Sequence, residues 1–450
     1  MQDNGPTSSH QKINGRKNLC SGAASLGPVR ASERIRSVDV LRGLALLGIL
    51  VINIEFFALP NAIYFNPKVA GGFSGLNFLS WKFGYLFFLQ KMMAIFSMLF
   101  GAGLVLMGKR AESAGKKFKG IYYRRVLWLL LIGLVHAYLF WYGDILFTYA
   151  ICGLILYPLR KRSAKLLIIL GFLFLFFGVL MQMGSGYYFD GLKKEAGTAQ
   201  TSLENGKTLT PYQEQMIKVW AKISGAFNPS AEKVAEEVEA YGGNYLEILR
   251  YRAPHTLLMQ TQVLIFMMLW RVVGLMLLGM GLMKLGVFSA LRSKKFYIIC
   301  IILGYGIGLP LCAYGANALV NHNFDFVYFF QLGAHFNYLG SILVALAHTG
   351  VLMLICKSGW LSWLTQKLSA VGRMALSNYL LHTLICTTIF YGYGLGLFGK
   401  VERFALWGFV LGIWILQLIL SPIWLKHFRF GPAEWLWRSL TYWKRQPMRI

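Results

Sequence analysis

The chain has 450 residues, of which 56% are hydrophobic and 14% charged, and carries a formal net charge of +27. Soluble domains carry roughly 25% charged residues, so this composition excludes a soluble globular protein and points to a polytopic membrane protein. Much of the positive charge lies in short stretches between apolar runs, where topology and anionic lipid account for it, and no nucleic-acid partner is expected.

Residues 1–33 are polar, Gly/Ser-rich and basic, and predict a disordered cytoplasmic tail with no cleavable signal peptide. The six cysteines (Cys20, Cys152, Cys300, Cys312, Cys356, Cys386) show no CxxC and no metal spacing. Most sit in apolar runs and read as small core residues, so no metal is expected.

From residue 34 a basic head (Arg34, Arg36, Ser37, Asp39, Arg42) runs into an apolar stretch about long enough to span a bilayer. Asp39 and Arg42 stand at i and i+3 and share a helical face, with Asp39 in the first turn, where a carboxylate suits the helix dipole. Asn53 lies fourteen residues past Asp39, close to four turns on, at the opposite end of roughly the same face. A plain positive-inside flank plus a lone core amide is the competing reading.

Apolar runs predict an all-α bundle of about ten spans, near 40–59, 83–107, 124–142, 144–159, 165–183, 256–283, 296–319, 328–355, 370–391 and 404–425. Basic segments at 109–125, 160–165, 292–295 and from Lys426 onward alternate with less basic loops, which predicts both termini inside. Five spans (34–183) precede and five (256–425) follow the acidic segment 184–255, predicted as a small extracytoplasmic cap of two or three helices with a break at Gly242–Gly243. Residues 426–450, rich in Trp and Arg, predict a helix at the inner interface.

Ionisable groups at membrane depth are costly and usually face a cavity or a partner. His136 sits in the outer half of span three, and Asp144 opens span four across the short Tyr142–Gly143 turn. An imidazole beside a carboxylate is held in one tautomer and takes a proton from a hydroxyl or amine. The alternative leaves His136 on a backbone carbonyl and Asp144 as a cap. Arg42 with Asp39, helped by Arg36 and Arg34, suits a phosphate or carboxylate clamp. Arg271, inside span six with no acid in its own span, calls for a carboxylate or a ligand phosphate nearby. Asn378 and His382, at i and i+4, share a face of span nine, with His382 as the alternative base or an interhelical hydrogen bond. Gly101, Ala102 and Gly103 read first as helix packing. The Gly-rich stretch 392–399 follows no strand and reads as a loop.

The string Ser-Val-Asp-x-x-Arg-Gly-x-Ala-Leu at 37–46 resembles the first helix of the transmembrane acyltransferase superfamily. The acyltransferase-3 family ends that helix in His. The heparan-alpha-glucosaminide N-acetyltransferases end it in Asn, as here at Asn53. The segments IFSMLFGAG (95–103), GLVHAYLFWYGDIL (133–146), GRMALSNYLLHTLICTTIFYGYGLGLFG (372–399) and FGPAEWLWRSLTYW (430–443) resemble the YeiB-like family of bacterial membrane proteins. The resemblance covers about residues 34–445. It implies a membrane acyltransferase with an acyl-coenzyme A type donor inside and a small-molecule or glycan acceptor outside, in the bacterial inner membrane. His136 is then the base, Asp144 its orienter and Asn53 a polarising amide. Membrane lipids are the other expected partners, with a homo-oligomer left open. A transporter or exporter of a small polar or lipid-linked solute is the alternative, using the same polar residues as a pocket.

Overall fold

The computed structural model describes residues 34–115 and 117–450, so the expectation for the first 33 residues lies outside the described residues. Among those described there is no named strand, only an isolated bridge between Phe428 and Arg449. The chain is an all-α bundle, and the helices follow the apolar runs in order. α1 (Arg36–Ala58) is followed by α2 (Gly75–Phe87) and α3 (Lys91–Ser113), which together form one crossing. α4 (Lys119–Val135) ends in a π turn (His136–Phe140), and α5 (Leu146–Leu156) returns from it. α6 (Ala164–Glu204), α7 (Pro211–Phe227), α8 (Ala231–Tyr241), α9 (Tyr245–Leu258) and α10 (Leu269–Lys284) come next. α11 (Lys294–Asn321), a single turn α12 (Phe326–Tyr328), α13 (Ala334–Ser358), α14 (Ser362–Arg373), α15 (Ala375–Phe390), α16 (Leu406–His427) and α17 (Pro432–Tyr442) complete it.

Eight of these stretches are long and apolar enough to cross a membrane, which makes this a multi-pass membrane protein. The other two expected spans are short. α5 has 11 residues, about 16 Å at 1.5 Å per residue, and falls short of a bilayer by itself. α15 has 16 residues and is prolonged by α14, from which only Met374 separates it.

The segment expected to be a cap from residue 184 begins differently. α6 runs unbroken for 41 residues, about 60 Å, and its second half runs on past the apolar stretch, with Phe189 packed against Phe227, Phe326 and Phe330. The apolar sequence stops near residue 183, but nothing after it stops the helix until Asn205 and Gly206. α7, α8 and the start of α9 fold back from there, and the break at Gly242–Gly243 falls between α8 and α9 as expected.

Two crossings are made by backbone touching backbone. A Cβ on Gly101 of α3 would lie 2.0 Å from the Met276 carbonyl oxygen, and one on Gly279 of α10 would lie 1.9 Å from that of Met98. The crossing of α1 with α14 repeats the device, because a Cβ on Gly372 would meet the Asp39 carbonyl oxygen at 1.9 Å and one on Gly43 that of Leu368 at 2.0 Å. In an apolar solvent helices gain no hydrophobic term by meeting, so close approach through small residues supplies the attraction. Gly103, expected to share the role of Gly101, has open space beyond it.

Gly279→Val is therefore expected to lower the thermal midpoint of the detergent-solubilised protein sharply, by the equivalent of about 3 kcal/mol or more, because a backbone carbonyl must move. Gly103→Ala should leave the midpoint where it is or raise it slightly.

Candidate active site

α4 does not end as an ordinary helix. Its last turn widens into the π segment His136–Phe140, where the Trp141 N–H donates to the His136 carbonyl at 2.9 Å. Single π turns are rare and frequent at functional sites. The turn carries His136 inward, 2% exposed. Asp144 comes back against it across the short connection, with Nδ1 and Oδ1 2.7 Å apart. The other Asp144 oxygen accepts the Phe147 N–H at 2.7 Å, so the carboxylate orients the imidazole and also caps α5. The two readings offered for Asp144 are both realised, one by each oxygen.

The second imidazole nitrogen was not foreseen to have a partner. His136 Nε2 lies 2.9 Å from Thr383 Oγ1 on α15. One turn earlier Tyr379 sets its hydroxyl on the Ile145 N–H at 3.3 Å and its ring 5.3 Å from the imidazole. A carboxylate on Nδ1 fixes the proton there and leaves Nε2 as an acceptor for the Thr383 hydroxyl. Hydroxyl, imidazole and carboxylate in this order form a hydrogen-bonded chain along which a proton can move. The spacing of Tyr379 and Thr383 at i and i+4 was the available signal, since both face the α4–α5 turn.

The cap helices hold this turn in place. Arg252 of α9 is buried and donates to the carbonyls of Tyr138, at 3.1 Å, and Phe140, which the π segment leaves without helical partners. Thr256 reaches the Ala137 carbonyl at 3.4 Å. Phe57, near the end of α1, stacks on Trp141 with centroids 4.0 Å apart.

The remaining candidates fall into four groups. Asn53 is half-buried on α1, and no hydrogen bond joins it to His136 or Asp144 among the described residues. Asn378 and His382 share a face, as their spacing implied, but that face meets α16. His382 Nε2 bonds Gln417 Oε1 at 2.9 Å, and Asn378 Nδ2 bonds Ser421 Oγ at 3.0 Å. His382 is thus tied to α16 and turned away from the imidazole of His136. Arg271 was expected to have a carboxylate or a ligand phosphate nearby, and of these no carboxylate contacts it among the described residues. Its guanidinium donates to the Tyr338 carbonyl at 2.9 Å and Ser341 Oγ at 2.7 Å, and lies 4.3 Å from the Tyr338 ring centroid. A carbonyl, a hydroxyl and a ring face take the place of the missing acid.

The opposite pole is built on Asp39. Arg34 and Arg42 hold its two oxygens at 3.0 and 2.9 Å, while Arg36 turns away to the Ser362 carbonyl and Thr365 Oγ1. Three further arginines are electrostatic neighbours of this group: Arg373 of Arg34 and Asp39, Arg438 of Arg34 and Arg42, and Arg125 of Arg438 and Arg42. Burial first, then Arg34, pushes the Arg438 guanidinium down to about 10. The second acid, Glu434, is already used, because it accepts the Leu376 and Ser377 N–H groups at the start of α15. Five arginines against Asp39 and Glu434 leave a concentrated positive field. Arg125 and His136 are eleven residues apart on the α4 segment, so the two poles are separated by about 16 Å.

One buried acid of the cap helices completes the surroundings. Glu237 of α8 is buried, accepts the Asn61 N–H at 3.1 Å, and burial raises its carboxyl from the ordinary 4.5 to about 7.

A family model described as "Protein of unknown function (DUF418)" matches residues 282–444. YxaH of Bacillus subtilis (strain 168), an uncharacterised protein, is 31% identical over 436 residues, covering 94% of this chain and 98% of its own. YeiB of Escherichia coli (strain K12), also uncharacterised, is 32% identical over 426 residues, covering 91% of this chain and 96% of its own. The chain belongs to the YeiB-like family. An uncharacterised 39.9 kDa protein of Bacillus acidopullulyticus is 27% identical over 430 residues, covering 94% of this chain and 99% of its own. No solved structure matches the chain. The alignments to YxaH and YeiB span nearly the whole chain.

Because the folded state holds the Glu237 proton more tightly than the unfolded chain does, its contribution makes stability fall as pH rises from about 4.5 to about 7. Glu237→Gln should flatten that part of the profile of thermal midpoint against pH, and the two proteins should differ most above pH 7. Parallel profiles would show that the carboxyl titrates normally.

Proposed function

We propose that this chain is a membrane acyltransferase. It takes an acyl group from an acyl-coenzyme A type donor at the arginine pole and passes it to a hydroxyl or amine acceptor at the cap end. The observation that carries the reading is the buried His136, with Asp144 on one nitrogen and the Thr383 hydroxyl on the other. Acyl transfer requires a base, because the acceptor must lose a proton as it attacks the thioester.

The step runs through Thr383. An acceptor hydroxyl bound at Oγ1 gives its proton to that oxygen while Oγ1 gives its own to His136 Nε2. Asp144 stabilises the imidazolium that forms. The acceptor oxygen bonds to the thioester carbonyl carbon, the C–S bond breaks, and the leaving thiolate takes the proton back from His136. Asn53, an amide at the same end of α1, offers a donor to the thioester oxygen.

The arginine pole supports the donor's identity. Phosphates of a coenzyme A type molecule suit Arg34, Arg42, Arg125, Arg373 and Arg438, which present planar forks to oxyanions. An extended pantetheine arm suits the roughly 16 Å between the poles. On this reading the arginine pole faces the cytoplasm, both termini with it, and the chain lies in the bacterial cytoplasmic membrane.

Calorimetric titration of acetyl-coenzyme A into the detergent-solubilised protein tests the proposal. Wild type should bind saturably, and Arg42→Ala and Arg438→Ala should each weaken binding about tenfold. His136→Ala should keep binding and lose transfer by about a hundredfold or more. If neither acetyl-, succinyl- nor free coenzyme A binds, the donor falls, and solute uptake into vesicles becomes the measurement to make.

A further inference from the structure

α16 is long and apolar enough to cross the membrane and ends at His427, so the segment that follows lies at the level of the lipid head groups. There the chain folds back on itself. Phe428 stacks on Trp424 with centroids 4.3 Å apart and bridges Arg449. The Arg429 N–H donates to the Met448 carbonyl at 2.9 Å, and the Ile450 N–H to that of His427 at 3.2 Å. Trp443, at φ 53°, ends α17 in a left-handed turn that reverses the chain. Gln446 pins the returning segment to α17. Its carbonyl accepts the Trp435 indole N–H at 2.8 Å, and its own N–H donates to Ser439 Oγ at 3.2 Å.

This fold-back frames an open groove of about 630 Å³, lined by Phe428, Arg445, Gln446, Pro447, Met448 and Arg449. Small-molecule sites run from roughly 300 to 1,000 Å³, so the groove has room for a phospholipid head group. Both arginines line the space itself. Among the described residues no hydrogen bond or ion pair takes up either guanidinium. A guanidinium only donates, and its planar fork matches the oxygens of a phosphate.

The charge of this segment is one-sided. From residue 426 onward the side chains of Lys426, Arg429, Arg438, Lys444, Arg445 and Arg449 stand against Glu434 alone. Glu434 is buried and spent on the N–H groups of α15. The same segment exposes apolar side chains: Trp443, 73% exposed, Ile450 and Leu436. At the end of a spanning helix such side chains belong at the boundary of head groups and acyl chains, with tryptophan in the interface. Cations and exposed apolar groups together suit an occupant with an anionic head and an apolar tail. A soluble anion leaves the apolar part unused.

We propose that this groove binds an anionic phospholipid. Arg445 and Arg449 donate to its phosphate, and Phe428 and Met448 lie against its glycerol and first methylenes. Gln446 holds the segment in place through its bonds to α17. The site stands independently of the transferase reading, because neither arginine belongs to the pole around Asp39 or to the chain of Asp144, His136 and Thr383.

Titration of short-chain phosphatidylglycerol into the full-length protein tests this, in an uncharged detergent at constant ionic strength. Phosphatidylcholine of the same chain length and inorganic phosphate are titrated in parallel, and the saturable rise in thermal midpoint gives each affinity. Wild type should bind phosphatidylglycerol at least about tenfold more tightly than phosphatidylcholine. Replacing both arginines, Arg445→Gln with Arg449→Gln, should weaken that binding about twenty-five-fold, at about fivefold per cation. Lys294→Gln with Lys295→Gln removes the same charge at the start of α11 and should leave the affinity unchanged. Equal affinity for the two lipids, or wild-type affinity in the arginine pair, overturns the site. An equal loss in the lysine pair overturns it too, because net charge alone then does the attracting. Inorganic phosphate binding as tightly as phosphatidylglycerol, through the same arginines, puts a soluble anion in place of the lipid and overturns the proposal. Should the double variant fail to fold, Arg445→Gln and Arg449→Gln are read singly. Each should weaken binding about fivefold, and wild-type affinity in both overturns the site.

Discussion

The bundle depends on backbones that touch. At the α3–α10 and α1–α14 crossings the absence of a Cβ on Gly101, Gly279, Gly43 and Gly372 lets carbonyl groups approach where any side chain would collide. Lipid offers these helices no hydrophobic reason to associate, so dispersion between closely fitted surfaces does the holding. The consequence reaches the candidate site. The α1–α14 contact sets Asp39 beside the arginines, and α15, which follows α14 after one residue, carries Tyr379 and Thr383 to His136.

Arginines then satisfy what the helices leave open. Arg252 takes the carbonyls freed by the π turn, and Arg403 does the same for the loop after α1. Arg403 is buried, pairs with Glu55 at 3.1 Å, and donates to the carbonyls of Pro67, Ala70 and Gly72. Irregular backbone at the edge of a membrane bundle survives only with such partners. A guanidinium suits the task because its five donors lie in one plane and reach several carbonyls at once. The cap helices therefore serve the site mechanically: α9 grips the turn that aims His136.

The same polar economy separates ties from candidates. His382, Asn378, Gln417 and Ser421 bond one another across α15 and α16 and satisfy most of their groups among themselves. His136 differs in having a carboxylate on one side and a hydroxyl on the other, an arrangement that moves a proton as readily as it holds a helix. Lys91 and Arg271 differ in a third way, as charges with no carboxylate in contact among the described residues.

Much of this was legible in the residues. Apolar runs set the all-α class and the order of the helices, because in lipid every backbone group must bond within its own segment. The short turn between His136 and Asp144 set that pair, since eight residues through a tight reversal leave few other arrangements. The Gly242–Gly243 break and the Asp39–Arg42 pair followed from local spacing in the same way. Only the tertiary structure decided the rest. Thr383 as the partner of Nε2, the gathering of Arg125, Arg373 and Arg438 around the Asp39 group, and the approach of Lys91 and Arg271 to one face of α13 join positions far apart in the chain. Sequence periodicity reports which face of a helix is apolar, and it says nothing of which other helix that face will meet. Contacts such as His136–Thr383, 247 positions apart, are set by how the helices cross, and in this chain the crossings depend on where two backbones fit together.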